Sequence, residues 1–169
     1  RFYRRPAVAI GGAAYRVMTW RVEVAKEKDR VMPSNSKKTL IVEDNPHFMR
    51  EMVRAVELLR EGGEVFNCRT GGEALATLER SAARVDLALV DLGLPDISGI
   101  DVIRALHRQL PEVPILVISV ASSEESVLEA IRAGARGYLL KGDSGAEMAS
   151  AIDEVLRGNY PISPALARS

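Results

Sequence analysis

Five short segments along the chain have the composition of β-strands, and each is followed by a turn signal and a stretch with helical periodicity. Four are runs of almost only apolar residues and the fifth is mixed in polarity: Thr39–Val42, Leu87–Val90, Ile115–Ile118, Gly137–Leu140 and, as the mixed one, Val65–Cys68. Uninterrupted apolar runs of this length are typical of strands that are buried on both faces of a sheet. The mixed segment suits an edge of the sheet.

The stretches between these strands show the periodicity of amphipathic helices. Asn45-Pro46 combines a good capping residue with a proline suited to the first turn, and apolar residues then recur at helical spacing up to Gly62-Gly63. Four further helices are predicted, at Gly71-Gly72 onwards, Ile100–Leu110, Ser123–Gly134 and Ser144–Arg157. Strict alternation of five strands and five helices predicts an α/β fold, in which helices cover both faces of a parallel sheet.

Polar side chains with distinct chemistry follow the four apolar strands. Glu43 and Asp44 come after the first, Asp91 after the second, Ser119 after the third and Lys141 after the fourth. In a parallel sheet these strand ends meet at one edge, where open α/β sheets bind their ligands. The coincidence of all five favours a functional site over the alternative, in which each residue only ends a strand or caps a turn.

Charge is distributed unevenly over a chain whose formal net charge is zero. Residues 1–38 contain ten Lys and Arg but three acidic residues, so the remainder carries an excess of seven negative charges. An acidic domain of this kind is not expected to bind nucleic acid through its bulk charge. The single cysteine, Cys68, excludes an intramolecular disulfide, and no apolar run is long enough to cross a membrane.

The residues at the strand ends, together with a proline and a glycine behind the central aspartate, resemble the signature of response-regulator receiver domains, the phospho-acceptor halves of two-component signalling systems. The residues that carry the resemblance are Glu43-Asp44, Asp91, Pro95, Gly99, Ser119 and Lys141. The resemblance implies a flavodoxin-like (βα)5 fold, a doubly wound parallel sheet with strand order 2-1-3-4-5. Gly134–Lys141 and Ile162–Ala167 resemble the NarL/LuxR-type branch, whose receivers usually precede a helix-turn-helix DNA-binding domain.

The resemblance also implies a magnesium site. Asp91 is expected to accept the phosphoryl group, and the ion is expected to be held by Asp44, Asp91 and the backbone carbonyl of Gly93. Glu43 is expected to act mostly through ordered water. Magnesium prefers hard oxygen ligands, uses one or two carboxylates and keeps several waters, which agrees with this set.

Three further residues are assigned roles around the phosphoryl group by the resemblance. Lys141 is expected to contact a phosphoryl oxygen as a point charge, and Ser119 is expected to donate a hydrogen bond to the same group. Tyr138 is expected to turn inward when Ser119 is drawn toward the phosphate. The alternatives are a surface lysine and an edge-strand tyrosine whose hydroxyl contacts water.

We therefore expect a cytoplasmic receiver that takes a phosphoryl group from a sensor histidine kinase and switches its surface to control output, with transcription as the expected output. It is expected to be a signalling switch that catalyses only its own phosphorylation and slow self-dephosphorylation. Homodimerisation on phosphorylation is expected, and DNA binding only through a C-terminal domain that this chain lacks. A receiver-like interaction module that is never phosphorylated is the alternative.

An enzyme with a flavodoxin-like fold is a third interpretation, which the sequence disfavours. Phosphatases of the haloacid-dehalogenase type need a second aspartate two residues after the nucleophile, where this chain has Gly93. Binding of FMN needs a loop rich in Ser and Thr after the first strand, and here that loop is acidic.

The chain is predicted to comprise three parts. Residues 1–37 form a basic extension that is either non-native or a short β-hairpin around Gly11-Gly12, and Met32 is expected to be the native start. Residues 38–159 form the receiver domain. Residues 160–169 are expected to begin a linker to an absent output domain.

Overall fold

A five-stranded parallel sheet organises the part of the chain that the structure describes. The computed structural model describes residues 37–60, 63–80 and 85–167. The strands are β1 (Lys38–Val42), β2 (Glu64–Cys68), β3 (Leu87–Val90), β4 (Ile115–Ser119) and β5 (Gly137–Leu140). Their spatial order is β2-β1-β3-β4-β5, and all four neighbouring pairs are parallel. The flavodoxin-like fold and strand order expected from the sequence are therefore confirmed.

Helices connect the strands as predicted, and one short helix was not predicted. They are α1 (Pro46–Leu59), α2 (Gly71–Arg80), α3 (Gly99–Gln109), α4 (Glu124–Ala133), α5 (Gly145–Leu156) and the additional α6 (Pro164–Ala167). The side chain of Asn45 caps α1, and Ser123 caps α4 in the same way. At the other end of α4, Gly134 has a φ of 120°, a conformation that disfavours side chains other than glycine.

The sheet is covered by apolar side chains on both faces because each central strand is apolar throughout. Leu40 and Val42 face the layer that contains α2, α3 and α4, whereas Ile41, between them, faces α1 and α5. These three residues have no exposed surface, and neither do Leu87 to Val90 of β3. Burial of this kind is the main driving force for folding, and it fixes the strand ends that carry the polar residues.

The chain after α5 packs against β5. The backbone N–H of Tyr138 donates to the carbonyl of Pro161 at 2.9 Å, and the N–H of Ser163 donates to the carbonyl of Tyr138 at 2.8 Å. Ser163 is completely buried, and Leu166 packs against the core. The sequence predicts only the start of a linker here. In the structure, the first part of this segment pairs with β5 through Ile162 and its two neighbours.

Several sequence predictions concern residues that the structure does not describe. Apart from Lys37, the basic extension at 1–37 lies outside the described residues, as do its suggested hairpin and Met32. Residues 168 and 169 also lie outside. Within the described ranges, no helix combines the length and apolarity that a membrane span requires.

Candidate functional site

The polar residues predicted from the strand ends lie along one edge of the sheet. Glu43 and Asp91 directly follow the neighbouring strands β1 and β3. Ser119 is the last residue of β4, and Lys141 follows β5 with its backbone N–H bonded to the carbonyl of Ser119 at 2.8 Å. The parallel register therefore brings side chains from four strand ends, far apart in the sequence, into one site.

Lys141 joins two carboxylates at the centre of this site. Its Nζ donates a hydrogen bond to Oδ2 of Asp91 at 2.8 Å and lies 2.7 Å from Oε2 of Glu43 as an ion pair. The Lys141 and Asp91 side chains are 6% and 4% exposed, and Glu43 is fully buried. Charges as deeply buried as these must be paired, which argues against the alternative of a surface lysine.

Burial and pairing have opposite effects on the protonation of this cluster. Burial raises the pKa of Glu43, although the hydrogen bonds from Lys141 and from the backbone of Asn45 partly offset it. Burial acts to lower the pKa of Lys141, but its hydrogen bonds and charge interactions with Asp91 and Glu43 outweigh burial and raise it. Lys141 is therefore held as a cation at neutral pH.

An aromatic ring completes the surroundings of the lysine. Nζ of Lys141 lies 4.6 Å from the centre of the Phe48 ring, within the range of a cation–π contact. Phe48 is in the first turn of α1. This contact could not be predicted from the sequence, because helical periodicity does not indicate that Phe48 faces the strand ends.

The carboxylates also form a group suited to a metal ion. One oxygen each from Glu43, Asp44 and Asp91 lie within 4.8 Å of one another, and Asp44 is the most exposed of the three residues. Oδ1 of Asp91 is buried and accepts no hydrogen bond from any described residue. A buried carboxylate oxygen without a partner is costly, and a cation bound there would compensate that cost.

The formal charges lead to the same conclusion. Three carboxylates and one ammonium carry a formal net charge of −2 when all are ionised, which a divalent cation would neutralise. The donors are all oxygens, the ligand type that Mg²⁺ prefers. The residues present therefore fit a magnesium ion.

Ser119 and Tyr138 lie next to each other beside this cluster. The Tyr138 ring is completely buried, and its hydroxyl donates to the carbonyl of Ala121 at 2.8 Å. The Ser119 hydroxyl oxygen accepts a hydrogen bond from the N–H of Ala121 at 3.4 Å. Burial raises the pKa of Tyr138, and a hydrogen bond with Ser119 partly offsets the effect. The tyrosine is thus in an inward position although it belongs to an edge strand, and its hydroxyl is bonded to the protein rather than hydrated.

Gly93 lies on the loop that follows Asp91. A Cβ atom at this glycine would be 3.7 Å from Oδ2 of Asp91, so its backbone passes close to the carboxylate. The backbone of Gly93 therefore lies close enough to Asp91 to belong to the same site.

Comparison with known proteins identifies the family. A family model described as "Response regulator receiver domain" matches residues 39–153. The chain belongs to this family. The match contains β1 except for Lys38, the other four strands, all of α1 to α4 and most of α5, so it includes the whole acidic edge.

Individual relatives of this receiver domain are transcriptional regulators by name. The chain is 36% identical over 104 residues to "Transcriptional regulatory protein CitT" of Halalkalibacterium halodurans, covering 62% of this chain and 45% of the relative. It is 35% identical over 121 residues to "DNA-binding transcriptional activator DevR/DosR" of Mycobacterium tuberculosis, covering 72% of this chain and 55% of the relative. The chain thus spans about half the length of these curated relatives.

Solved structures support the same assignment. A two-component response regulator of the LuxR family from Aurantimonas sp. SI85-9A1 superimposes with a TM-score of 0.67 at 29% identity. The alignment covers 79% of this chain and 94% of that structure. This receiver therefore shares its fold with a response regulator over nearly the whole of that chain.

A second contact that the sequence analysis missed lies on the loop after the central aspartate. The carboxylate of Asp96 accepts hydrogen bonds from the backbone N–H groups of Gly71 and Gly72, at 2.9 and 2.7 Å. These bonds lower the pKa of Asp96. Pro95-Asp96 indicates a turn in the sequence, but nothing local indicates a partner 24 to 25 residues away.

Proposed function

We propose that this receiver domain accepts a phosphoryl group on Asp91, with Mg²⁺ bound beside it, from the phosphohistidine of a sensor histidine kinase. The observation that carries the proposal is the buried, unpartnered Oδ1 of Asp91, within a cluster of three carboxylates and one lysine. A carboxylate that served only to end a strand would have both oxygens hydrogen-bonded or exposed to solvent, whereas Asp91 is paired with Lys141 through Oδ2 alone. The proposal includes a cytoplasmic location.

Phosphoryl transfer needs a nucleophile, fixed positive charge and alignment more than it needs covalent chemistry from the protein. An oxygen of Asp91 forms the new P–O bond while the P–N bond to the donor histidine breaks, and its electron pair stays on the imidazole. Lys141, already 2.8 Å from Asp91, contacts a phosphoryl oxygen, and Ser119 donates a hydrogen bond to another. When bound, Mg²⁺ would neutralise part of the negative charge on these oxygens.

The ligand roles proposed for the two adjacent acids differ. Glu43 is occupied by the protein, because its Oε1 accepts the N–H of Asn45 at 2.8 Å and its Oε2 pairs with Lys141. Asp44 is partly exposed, and no hydrogen bond from a described residue to its carboxylate competes with an ion. These contacts support direct coordination by Asp44 and Asp91, with Glu43 acting through water, and the Gly93 carbonyl is the third ligand that we propose.

Asp44→Asn is expected to weaken Mg²⁺ binding more than Glu43→Gln does. Both changes keep the shape of the side chain and replace a carboxylate with an amide. Only Asp44→Asn is proposed to alter a group that contacts the Mg²⁺ ion directly. We expect a loss of about tenfold or more for Asp44→Asn, which equals roughly 1.4 kcal/mol. Calorimetric titration with Mg²⁺ measures both variants, and the reverse order would contradict the division of roles.

The switch is proposed to pass from Ser119 through Tyr138 to the C-terminal segment. Movement of Ser119 toward the phosphoryl group would change its interaction with Ala121, whose carbonyl also accepts the Tyr138 hydroxyl. The backbone of Tyr138 is bonded on both sides to Pro161 and Ser163. A movement of Tyr138 would therefore also move the segment after α5, to which its backbone is bonded. Phosphorylation at Asp91 could in this way shift the surface around β5 between two conformations.

The receiver domain is also proposed to be part of a larger regulatory protein. We propose a NarL/LuxR-type regulator, with residues 38–159 as the receiver and residues 160–169 as the start of a linker to a DNA-binding domain. Control of transcription is supported by the printed names of the relatives. Homodimerisation on phosphorylation and docking of a histidine kinase belong to the same proposal, as does a basic extension at 1–37.

The test is covalent labelling of the 169-residue chain. Incubation with acetyl phosphate and Mg²⁺, followed by intact-mass measurement, is expected to show a gain of one phosphoryl group. The same incubation with a chelator in place of Mg²⁺ is expected to show none. A chain that is folded but unlabelled would instead support an interaction module that works without phosphorylation.

A further inference from the structure

The loop between β3 and α3 carries Asp91 at its start and is fastened to a different helix. Its Asp96 accepts one hydrogen bond on each carboxylate oxygen, from Gly71 at 2.9 Å and from Gly72 at 2.7 Å. These are the first two residues of α2. Gly93, the proposed carbonyl ligand, lies between Asp91 and this point of attachment.

The contact satisfies donors that α2 cannot satisfy by itself. The first N–H groups of a helix have no partner within the helix. Thr70 accepts the N–H of Glu73 at 3.1 Å, which leaves the two glycine N–H groups to Asp96. A carboxylate at a helix N-terminus is also favoured by the helix dipole. The bond is therefore directional and charge-assisted, although Asp96 is exposed.

The two glycines are explained by the close approach of the loop. A Cβ at Gly71 would lie 2.3 Å from Cγ1 of Ile97, and a Cβ at Gly72 would lie 3.1 Å from Oδ2 of Asp96. Neither glycine has a positive φ, so the close approach rather than the backbone conformation accounts for them. The start of α2 and the loop therefore fit together at two consecutive positions.

We propose that Asp96 is a positioning residue for the magnesium site, which it serves by fixing the β3–α3 loop on α2 and thereby holding the Gly93 carbonyl beside Asp91. The inference rests on the proposed function, because it assigns Asp96 to the same site. An exposed carboxylate outside the acidic cluster would then influence how tightly the site binds Mg²⁺.

The experiment compares Asp96→Ala with Thr70→Ala in the full chain. Each substitution removes one side-chain cap from the N-terminus of α2, but only Asp96 belongs to the loop. Thermal unfolding measures the common structural effect. Calorimetric titration with Mg²⁺, and acetyl-phosphate labelling across a Mg²⁺ series, measure the effect on the site.

We expect Asp96→Ala to weaken Mg²⁺ binding by about tenfold, the scale found for residues that orient metal ligands. Labelling should then need more Mg²⁺ but reach the wild-type plateau at saturation. Thr70→Ala should lower the unfolding temperature without moving the Mg²⁺ dependence. Asp96→Asn keeps one carbonyl oxygen as an acceptor, so its Mg²⁺ affinity should fall between those of Asp96→Ala and wild type.

Two results would overturn the inference: unchanged Mg²⁺ affinity in Asp96→Ala, or an equal loss in Thr70→Ala, which would make the effect one of helix stability. The wild-type titration reports separately on the proposed function. If wild type itself binds no Mg²⁺, both the metal site and the role of Asp96 are refuted, whereas normal wild-type binding with unaffected variants refutes Asp96 alone.

Discussion

Replacing Asp91 with asparagine is expected to reduce acetyl-phosphate labelling of the chain to background while leaving the fold intact. The amide has nearly the same size and shape but lacks the anionic oxygen that attacks phosphorus. Its carbonyl can still accept the Lys141 hydrogen bond that now reaches Oδ2 at 2.8 Å. Lys141 also keeps Glu43 at 2.7 Å, so the variant leaves no unpaired buried charge. We expect the free energy of unfolding to change by no more than about 1–2 kcal/mol.

Intact-mass measurement after incubation with acetyl phosphate and Mg²⁺ checks this expectation, with urea unfolding as the test of stability. Asp101→Asn is the matched control, because Asp101 is an exposed carboxylate in the first turn of α3, paired with Arg104 at 3.0 Å, and it does not belong to the acidic cluster. The control should label like wild type. Equal labelling of Asp91→Asn and wild type would show that another residue carries the phosphoryl group.

The main features of the fold could be predicted because they depend on local patterns. An apolar run such as Leu87–Val90 has no polar face, so it must be covered on both sides, and the structure leaves it without exposed surface. Capping signals were equally direct, since Asn45 and Ser123 start their helices through bonds to N–H groups two or three residues away. Because strands and helices alternate and crossovers between parallel strands are right-handed, few strand orders remained possible.

The detailed contacts at the acidic edge could not be predicted, since they connect residues that sequence patterns treat separately. That Lys141 contacts both Glu43 and Asp91 depends on how far β5 extends relative to β1 and β3. The bond from Asp96 to the start of α2 depends on where a loop and a helix lie in space. Pairing of residue 162 with Tyr138 likewise depends on the return path of the chain after α5. Periodicity contains none of this information.

Gly99 was noted in the sequence as part of the receiver signature, and the structure gives a steric reason for a glycine at this position. A Cβ at this position would lie 2.1 Å from the carbonyl oxygen of Asp91 and 2.6 Å from Cα of Leu92. Both are backbone atoms, so no side-chain rotation can relieve the contact. The Gly99 N–H also donates to the carbonyl of Leu92 at 3.1 Å, which closes the loop after Asp91.

Gly99→Ala is therefore expected to destabilise the domain strongly, by about 3 kcal/mol or more, because overpacking against the backbone forces the chain to move. The displaced atoms belong to Asp91 and its neighbour, so labelling with acetyl phosphate should fall as well, even under conditions where the variant remains folded. Urea unfolding measures the stability, and intact mass measures the labelling.

Gly145→Ala provides a close control for this prediction. Gly99 and Gly145 are each the first residue of a helix, α3 or α5, and each follows a serine cap, Ser98 or Ser144. A Cβ at Gly145 would meet nothing within 4 Å. Since alanine also restricts the unfolded chain more than glycine does, Gly145→Ala should be neutral or stabilising by up to about 1 kcal/mol. Similar destabilisation of both variants would mean that the helix position, rather than the carbonyl of Asp91, makes Gly99 necessary.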